Sequence, residues 1–284
     1  PLVPPDLRNP LKTTTYGVGE LILDAIEKGC RKFIIGLGGS ATNDAGIGML
    51  QALGFRFLTK ENEEVGLGGQ SLAKVEAIHQ DQVHSLLNEC TFQVACDVNN
   101  PLFGKNGAAY IYGPQKGATL EMVQELDKGL EHFAGVVKRE LNLEIHSLEG
   151  AGAAGGLGAA FLGFLHAELQ SGINLVLDVA GLEEQLQGAD FVLTGEGMLD
   201  GQTSMGKAPM GVAQLAAKHG IPVIALAGGI NQNQFSLNEN GMTACFSIVN
   251  APMSLEEAMV ADTTFGNLRF TTNQLFRLIK IVKA

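Results

Sequence analysis

The pattern of apolar and polar positions predicts alternating helices and strands. Apolar residues recur at helical spacing after the possible cap Thr13–Thr15 as far as Glu27, and again over Leu120–Leu141. Short apolar runs rich in β-branched and aromatic residues predict buried strands. These runs are Phe33–Ile35, Phe55–Leu58, Phe92–Cys96, Ala108–Tyr112, Ile173–Leu177, Phe191–Leu193, Val223–Ala227 and Ala244–Ile248.

Further helices are predicted between these strands, and one of them begins at Asn43 or Asp44. From about Gly181 strands and helices alternate regularly, which is typical of a parallel sheet with right-handed crossovers. We therefore predict an α/β protein with two domains, residues 1–180 and 181–284. The other predicted helices are 81–88, 153–169, Pro209–His219, Leu255–Val260 and Leu268–Val282.

Charge and cysteine content exclude several classes of partner. The formal net charge is −11, so the chain has no electrostatic signature of nucleic-acid or anionic-membrane binding. The apolar stretch 150–165 is too short to span a bilayer. The four cysteines lack CxxC spacing, which argues against a zinc site or a disulfide framework and favours the cytoplasm.

The glycine-rich segment GLGGSATNDAG at residues 36–46 is the first candidate for chemistry, because a strand precedes it and a helix follows. Gly36, Gly38 and Gly39 let a backbone approach phosphate oxygens, and the Ser40 and Thr42 hydroxyls add donors. Asp44 is a candidate Mg²⁺ ligand or proton acceptor. The alternative is that Asn43 and Asp44 only cap the helix.

A second candidate is TGEGMLDGQTSMGK at residues 194–207, predicted as a loop between a strand and a helix. Glu196 and Asp200 supply carboxylates and Lys207 a cation, which are the residue types that phosphoryl transfer requires. The alternative is a solvated turn. This segment and AGG at 227–229 fall near predicted carboxyl ends of strands, where parallel sheets bind ligands.

Asp97 and Lys116 are weaker candidates. Asp97 follows a predicted strand, and Lys116 in GPQKG could reach a carboxylate or phosphate, although a lysine in a turn is often only exposed.

One glycine motif indicates helix packing. Gly150, Gly152 and Gly155 satisfy G-x-G-x-x-G, but with no convincing strand before them we expect close helix packing. The alternative function is a dinucleotide-dependent oxidoreductase. Zincin, α/β-hydrolase and Walker motifs do not occur.

Several long segments, in order along the chain, resemble type 1 glycerate kinases. They are RNPLKTTTYGVGELI (8–22), GLGGSATNDAGIGMLQALG (36–54), ACDVNNPLFGKNGAAYIYGPQKGAT (95–119), GAGAAGGLGAAF (150–161), TGEGMLDGQTSMGKAP (194–209) and IALAGG (224–229). The resemblance implies phosphorylation of D-glycerate by Mg²⁺-ATP, mostly to 2-phosphoglycerate. It also implies an active site in a cleft between a flavodoxin-like domain and a mixed α/β domain inserted into it.

The resemblance and the residue chemistry together assign expected roles. Residues 1–180 correspond to most of the inserted domain, and residues 181–284 to the C-terminal part of the flavodoxin-like domain. We expect a monomer or homodimer that binds only small molecules. The expected catalytic residues are Asp200, Lys207 and Asp97, the substrate- or nucleotide-binding residues are Gly38, Gly39, Ser40, Thr42, Asn43, Lys116, Thr194 and Gly195, and the Mg²⁺ ligands are Asp44 and Glu196.

One departure from the family pattern carries its own expectation. Type 1 glycerate kinases open with a strand, a D-S-F-K-G segment and a later D-G-G-E-G segment, and neither of these two segments is in this sequence. We therefore expect either a longer native protein or a form with impaired catalysis. A non-catalytic protein that still binds ligand or partner is thus a second alternative function.

Overall fold

The computed structural model describes residues 3–200, 207–231 and 235–282. It divides into two compact units, unit 1 (Pro1–Gly172) and unit 2 (Ile173–Ala284). The sequence predicts the division at residues 180/181 instead. The assignment of the two parts to an inserted and a flavodoxin-like domain stays a prediction.

Unit 1 is a mixed α/β structure. Its helices are α1 (Tyr16–Glu27), α2 (Ile47–Ala52), α3 (Ala108–Tyr112), α4 (Leu120–Leu141) and α5 (Ala153–Phe164). Its strands are β1 (Lys32–Gly36), β2 (Arg56–Leu58), β3 (Ala77–His79), β4 (Thr91–Ala95) and β5 (Glu168–Gln170). Short 3₁₀ helices lie at Pro5–Leu7, Gly69–Lys74, Ser85–Glu89 and Pro114–Lys116.

The main sheet of unit 1 has the order β1-β4-β5, and both pairings are parallel. Gly36 pairs with Ala95, and Ala95 with Gln170, so the three strands end along one edge. The segments that continue from this edge therefore begin close together. The strands β2 and β3 form a separate antiparallel pair.

Burial of apolar side chains accounts for the stability of unit 1. Helix α2 is enclosed on every side, since Ile47, Met49 and Leu50 are all fully buried. Phe57 packs edge-on against Phe133 in α4, with ring centroids 5.7 Å apart. Each large apolar side chain removed from water stabilises the fold by about 1.5–3 kcal/mol.

Unit 2 contains a second parallel sheet, of order β6-β7-β8. Its strands are β6 (Val192–Leu199), β7 (Val223–Ile230) and β8 (Ala244–Ser247). Its helices are α6 (Gly172–Val179), which begins at the last residue of unit 1, α7 (Leu182–Gln185), α8 (Ala208–Lys218), α9 (Phe235–Glu239), α10 (Leu255–Ala258) and α11 (Ala261–Val282). The predicted α/β class is confirmed in both units.

Two predicted strands are wrong. Residues 108–112 form helix α3: Ala108 and Ala109 are buried and the next two residues are exposed, a pattern that does not fit the two-residue repeat of a strand. Residues 173–177 lie in helix α6, although Leu175 and Leu177 alternate with exposed neighbours. The first N–H group of α6, from Gly172, donates to Asp97 Oδ1 at 2.9 Å, a contact that no local pattern contains.

The other differences between prediction and structure concern where elements end and which short elements are present. Strand β6 continues to Leu199 and β7 to Ile230, so TGEG and AGG lie inside strands and not in loops beyond them. The short strands β3 and β5 were not predicted, and residues 85–89 form a 3₁₀ helix where an α-helix was expected. Within the three described ranges, no helix has the length and apolarity needed to cross a membrane.

Candidate active site

The glycine loop (residues 36–46) leaves the carboxyl end of β1 with an open backbone. A Cβ atom placed on Gly36, Gly38 or Gly39 would meet no heavy atom within 4 Å. Gly39 has a left-handed φ of 58°, which glycine adopts without steric cost. Among the described residues, none accepts a hydrogen bond from the N–H groups of Gly38, Gly39 or Ser40. An anion can therefore approach this backbone and bind its N–H groups.

The second half of the loop is held by hydrogen bonds. Thr13 Oγ1 donates to the Ala41 carbonyl at 2.6 Å, and Lys116 Nζ donates to the Thr42 carbonyl at 2.6 Å. The Ala45 N–H group donates to the Gly155 carbonyl at 3.0 Å. Helix α2 accordingly begins at Ile47, later than predicted.

Asp44 is fully buried and accepts four hydrogen bonds. Its Oδ2 accepts from the Thr15 N–H (2.8 Å), the Thr15 hydroxyl (2.9 Å) and the Thr14 hydroxyl (3.3 Å), and its Oδ1 accepts from the Gly46 N–H at 3.2 Å. Each hydroxyl itself accepts a backbone N–H, from Met49 at Thr15 and from Tyr16 at Thr14. Their hydrogens therefore point at Asp44, and these contacts favour a structural role over the predicted role of Mg²⁺ ligand.

Two opposing effects act on the ionisation of Asp44. Burial raises the pKa of its carboxyl group, whereas the hydrogen bonds from Thr15 and Gly46 lower it. The net direction is upward because burial is the larger effect. The four donors nevertheless suit a carboxylate, which has no hydrogen of its own to place.

We expect Asp44→Asn to lower the free energy of unfolding of unit 1 by about 2 kcal/mol, because the new amide hydrogens would face an N–H or O–H donor. The chain has no tryptophan, and its tyrosines Tyr16, Tyr110 and Tyr112 all lie in unit 1, so tyrosine fluorescence during urea denaturation reports on this unit. Asp24→Asn, at an exposed position of α1 where Asp24 pairs with Lys28, is the control and should change stability by less than about 0.5 kcal/mol. Wild-type stability in Asp44→Asn would mean that Asp44 is protonated in the native protein.

Asn43 and Lys116 are buried beside Asp44 and do not reach solvent. Asn43 is fully buried, and neither its Oδ1 nor its Nδ2 has a hydrogen-bond partner among the described residues. Lys116 is 2% exposed. Burial lowers the pKa of Lys116 to about 8, and the nearby Asp44 charge acts in the opposite direction. Lys116 supports the loop from inside through the Thr42 carbonyl, and the burial of both side chains differs from the predicted contact with substrate.

The lowered pKa of Lys116 predicts a dependence of stability on pH. The native lysine releases its proton near pH 8 and the unfolded lysine near 10.5, so the stability of wild type should rise between these values. Relative to Lys116→Met, we expect a gain of about 2 kcal/mol between pH 7.5 and 9.5. Urea denaturation followed by circular dichroism measures this difference. If it stays constant with pH, Lys116 has an ordinary pKa.

Asp97 lies at the same sheet edge as the glycine loop. It is exposed, follows β4 by two residues, and binds the Gly172 N–H group through Oδ1. Gln170, at the end of β5, has a buried Nε2 without a partner among the described residues. Asp97 therefore caps the start of α6 and is also exposed to any ligand that binds at this edge.

The predicted residues of unit 2 fall into two places. Thr194, Gly195 and Glu196 lie in β6 and line a cavity of about 1140 Å³ with largely apolar walls, which β7, α10 and α11 also border. Glu196 Oε2 is buried without a hydrogen-bond partner within the described ranges, so it is available to a cation or a hydroxyl group.

Asp200 and Lys207 lie close together. Lys207 Nζ is 3.6 Å from Asp200 Oδ1, and both side chains are about one-third exposed. Lys207 immediately precedes α8. The predicted segment between them, residues 201–206, lies outside the described residues. The pair therefore places a carboxylate and a cation within reach of solvent.

The G-x-G-x-x-G motif serves packing, as expected. A Cβ atom on Gly152 would overlap the Pro101 carbonyl oxygen, and one on Gly155 would overlap the Thr42 carbonyl oxygen. Neither glycine has space for a dinucleotide beside it. The motif instead brings α5 against the backbone of the glycine loop.

Sequence reasoning missed the role of Thr14 and Thr15. Their position before α1 predicts a helix cap, but Thr15 makes no side-chain cap hydrogen bond in α1. Their hydroxyls bind Asp44, 29 and 30 residues away. Three consecutive threonines before a helix were the available signal, and it indicated only the bond from the Tyr16 N–H group of α1 to the Thr14 hydroxyl.

Comparisons with known proteins identify the family to which the whole chain is similar. A model of the glycerate kinase family matches residues 1–280. The chain is 50% identical over 258 residues to a glycerate kinase of Halalkalibacterium halodurans, covering 91% of this chain and 68% of that protein. It is 47% identical over 257 residues to glycerate 2-kinase of Escherichia coli, covering 90% and 68%.

A solved structure has the same fold. It is a glycerate kinase 2 structure from Salmonella typhimurium LT2, which aligns with 99% of this chain and 73% of its own at a TM-score of 0.84 and 43% identity. Both the sequence and the fold are thus shared with one group of proteins over nearly all of this chain. The chain belongs to the glycerate kinase family.

Proposed function

We propose that this protein transfers the γ-phosphoryl group of ATP to D-glycerate and forms 2-phosphoglycerate in preference to 3-phosphoglycerate. The observation that carries the proposal is the open backbone of Gly38, Gly39 and Ser40, whose N–H groups are available to an anion. Both substrates are anions, and phosphoryl transfer depends mainly on positioning them and on neutralising charge.

Family membership makes the protein an enzyme of the kinase class. The preference for the 2-hydroxyl is supported by the E. coli relative, which is named a glycerate 2-kinase. A cytoplasmic location is supported by the four cysteines, which are all free thiols. We further propose that the protein acts on small-molecule substrates and is a monomer or a homodimer.

The proposed roles are assigned to the candidate residues whose backbone or side chains are exposed. Gly38, Gly39, Ser40 and Thr42 bind a phosphate or the glycerate carboxylate. Lys207 neutralises charge on the phosphoryl group during transfer, and Asp200 or Asp97 accepts the proton of the attacking hydroxyl. Their exposure allows these roles, because Lys207 and Asp200 are about one-third exposed and Asp97 is exposed.

Thr194 and Gly195 contribute to the same chemistry from β6. Glu196, with a buried Oε2 free of partners among the described residues, suits Mg²⁺ better than Asp44 does. A bound Mg²⁺ would neutralise phosphate charge. Asp44 instead holds Thr14 and Thr15 against the glycine loop.

Phosphorus NMR of a reaction containing D-glycerate, ATP and MgCl₂ tests the proposal. The expected product spectrum contains the resonance of 2-phosphoglycerate, identified by adding authentic 2- and 3-phosphoglycerate. A reaction without glycerate controls for ATP hydrolysis. Release of inorganic phosphate alone would show that D-glycerate is not the phosphoryl acceptor. Formation of 3-phosphoglycerate as the first product would contradict the proposed transfer to the 2-hydroxyl group. Thermal stabilisation by NAD but not by ATP would favour an oxidoreductase.

A further inference from the structure

We propose that Lys116 is a positioning residue for the glycine loop: its buried ammonium holds the Thr42 carbonyl and balances the Asp44 charge beneath the anion site. The inference rests on the proposed function, in which the N–H groups of residues 38–40 bind an anionic group of ATP or glycerate. It gives Lys116 a role without contact to substrate.

The burial of Lys116 determines which groups it can reach. It ends the 3₁₀ helix Pro114–Lys116, and the chain then turns through Gly117 at a left-handed φ of 88°. A Cβ atom on Gly117 would lie 2.7 Å from the Arg8 carbonyl oxygen, so this turn packs closely against the N-terminal segment. The side chain is directed inward, where Nζ meets the Thr42 carbonyl at 2.6 Å.

The contact with Thr42 is one of several hydrogen bonds that hold the second half of the loop. Ala41 is held through its carbonyl by Thr13, Thr42 by Lys116, and Asp44 by Thr14 and Thr15. At the other end, Gly36 belongs to β1 and the Leu37 N–H group donates to Ala95. Only residues 38–40 lie between these two fixed ends, so the anchors control the directions of their N–H groups.

The charge of Lys116 matters in addition to its hydrogen bond. A neutral hydroxyl is sufficient at the Ala41 carbonyl, whereas the Thr42 carbonyl is bound by a buried ammonium, which is costly unless another charge pairs with it. Asp44 lies two residues after Thr42, whose carbonyl binds the Lys116 ammonium, and both charged side chains are buried. The carboxylate charge of Asp44 favours the charged form of Lys116. Without Lys116, the negative charge of Asp44 would lie uncompensated in the loop that binds anions and would repel them.

A matched pair of variants separates charge from mechanical support. Lys116→Met and Thr13→Val each remove a 2.6 Å hydrogen bond to neighbouring carbonyls of the same loop, but only the first removes a charge. At pH 7, we expect Lys116→Met to raise the KM of ATP or of D-glycerate by about tenfold or more, with kcat within about threefold. Thr13→Val removes an anchor but no charge, so it should raise the same KM severalfold less than Lys116→Met does.

Chemical rescue supplies a readout that a purely structural role would not give. Lys116→Ala leaves space for n-propylammonium, which should lower the raised KM severalfold, whereas the neutral isostere propan-1-ol should not. Lys116→Gln replaces Lys116→Met if the methionine variant fails to fold.

Two results would overturn the inference. One is a folded Lys116→Met protein with wild-type KM values for both substrates. The other is an equal KM increase in Thr13→Val, together with rescue by the alcohol as effective as rescue by the ammonium. Calorimetric titration of wild type and variants with ATP and with D-glycerate distinguishes this failure from failure of the proposed function, because binding is measured even if no phosphoglycerate forms.

Discussion

Replacing Gly155 by alanine is expected to lower the free energy of unfolding of unit 1 by about 4 kcal/mol or more. Gly155 has a φ of 75°, inside a segment of α5 in which residues 154–156 all have left-handed backbone angles. An added Cβ atom would overlap the Thr42 carbonyl oxygen and lie 2.7 Å from Asn43 Cα. Both of these atoms belong to the backbone, so no side-chain rotation relieves the clash.

Gly135→Ala is the matched control for this change. Gly135 is exposed in the middle of α4, and a Cβ atom there would meet no heavy atom within 4 Å. Alanine should stabilise that helix by up to about 1 kcal/mol. Urea denaturation with tyrosine fluorescence measures both variants. Equal stability of Gly155→Ala and Gly135→Ala would show that α5 does not pack against the glycine loop as described.

Lys207→Met is expected to lower kcat by about 10²–10³-fold without loss of thermal stability. Lys207 supplies the accessible cation next to Asp200, and a cation matters most when charge is redistributed on the phosphoryl group in the transition state. Because both side chains are about one-third exposed, their pairing contributes little to folding. Steady-state kinetics at saturating ATP and D-glycerate, together with a thermal melt, test the expectation.

Lys218→Met is the control, because Lys218 is an exposed lysine at the other end of the same helix, α8. It should leave kcat unchanged. If Lys207→Met also has wild-type kcat, Lys207 takes no part in phosphoryl transfer. If instead KM rises and kcat is unchanged, Lys207 binds the ground state and the transition state equally.

The sequence pattern predicted most elements because their periodicity and their burial agree. Helix α4 begins at Leu120 and ends at Leu141 as predicted, with a threonine cap at Thr119 whose hydroxyl accepts the Met122 N–H group. Strands β1, β4 and β7 also lie within a few residues of their predicted bounds. In each case a single buried face or an apolar run carried the signal.

The failures occurred where a distant contact determines the local structure. Buried and exposed residues alternate in helix α6 as they would in a strand. Its first N–H group nevertheless donates to Asp97, which lies just beyond the carboxyl end of β4. Thr14 and Thr15 are suited to cap a helix, yet they bind Asp44. Lys116 resembles an exposed turn lysine, yet it is buried against Thr42. No spacing in the sequence encodes partners that are 29 to 75 residues apart.

The sequence by itself determined the α/β class, the position of the glycine loop after β1 and the family resemblance, because all three depend on local pattern and residue order. Tertiary structure alone decided which polar residues of the loop are accessible. Folding buries Asn43 and Asp44 of the loop, buries Lys116 against the loop, and leaves the backbone of residues 38–40 open. The physical reason is that burial and hydrogen-bond partners are properties of packed elements, and residue types alone do not specify them.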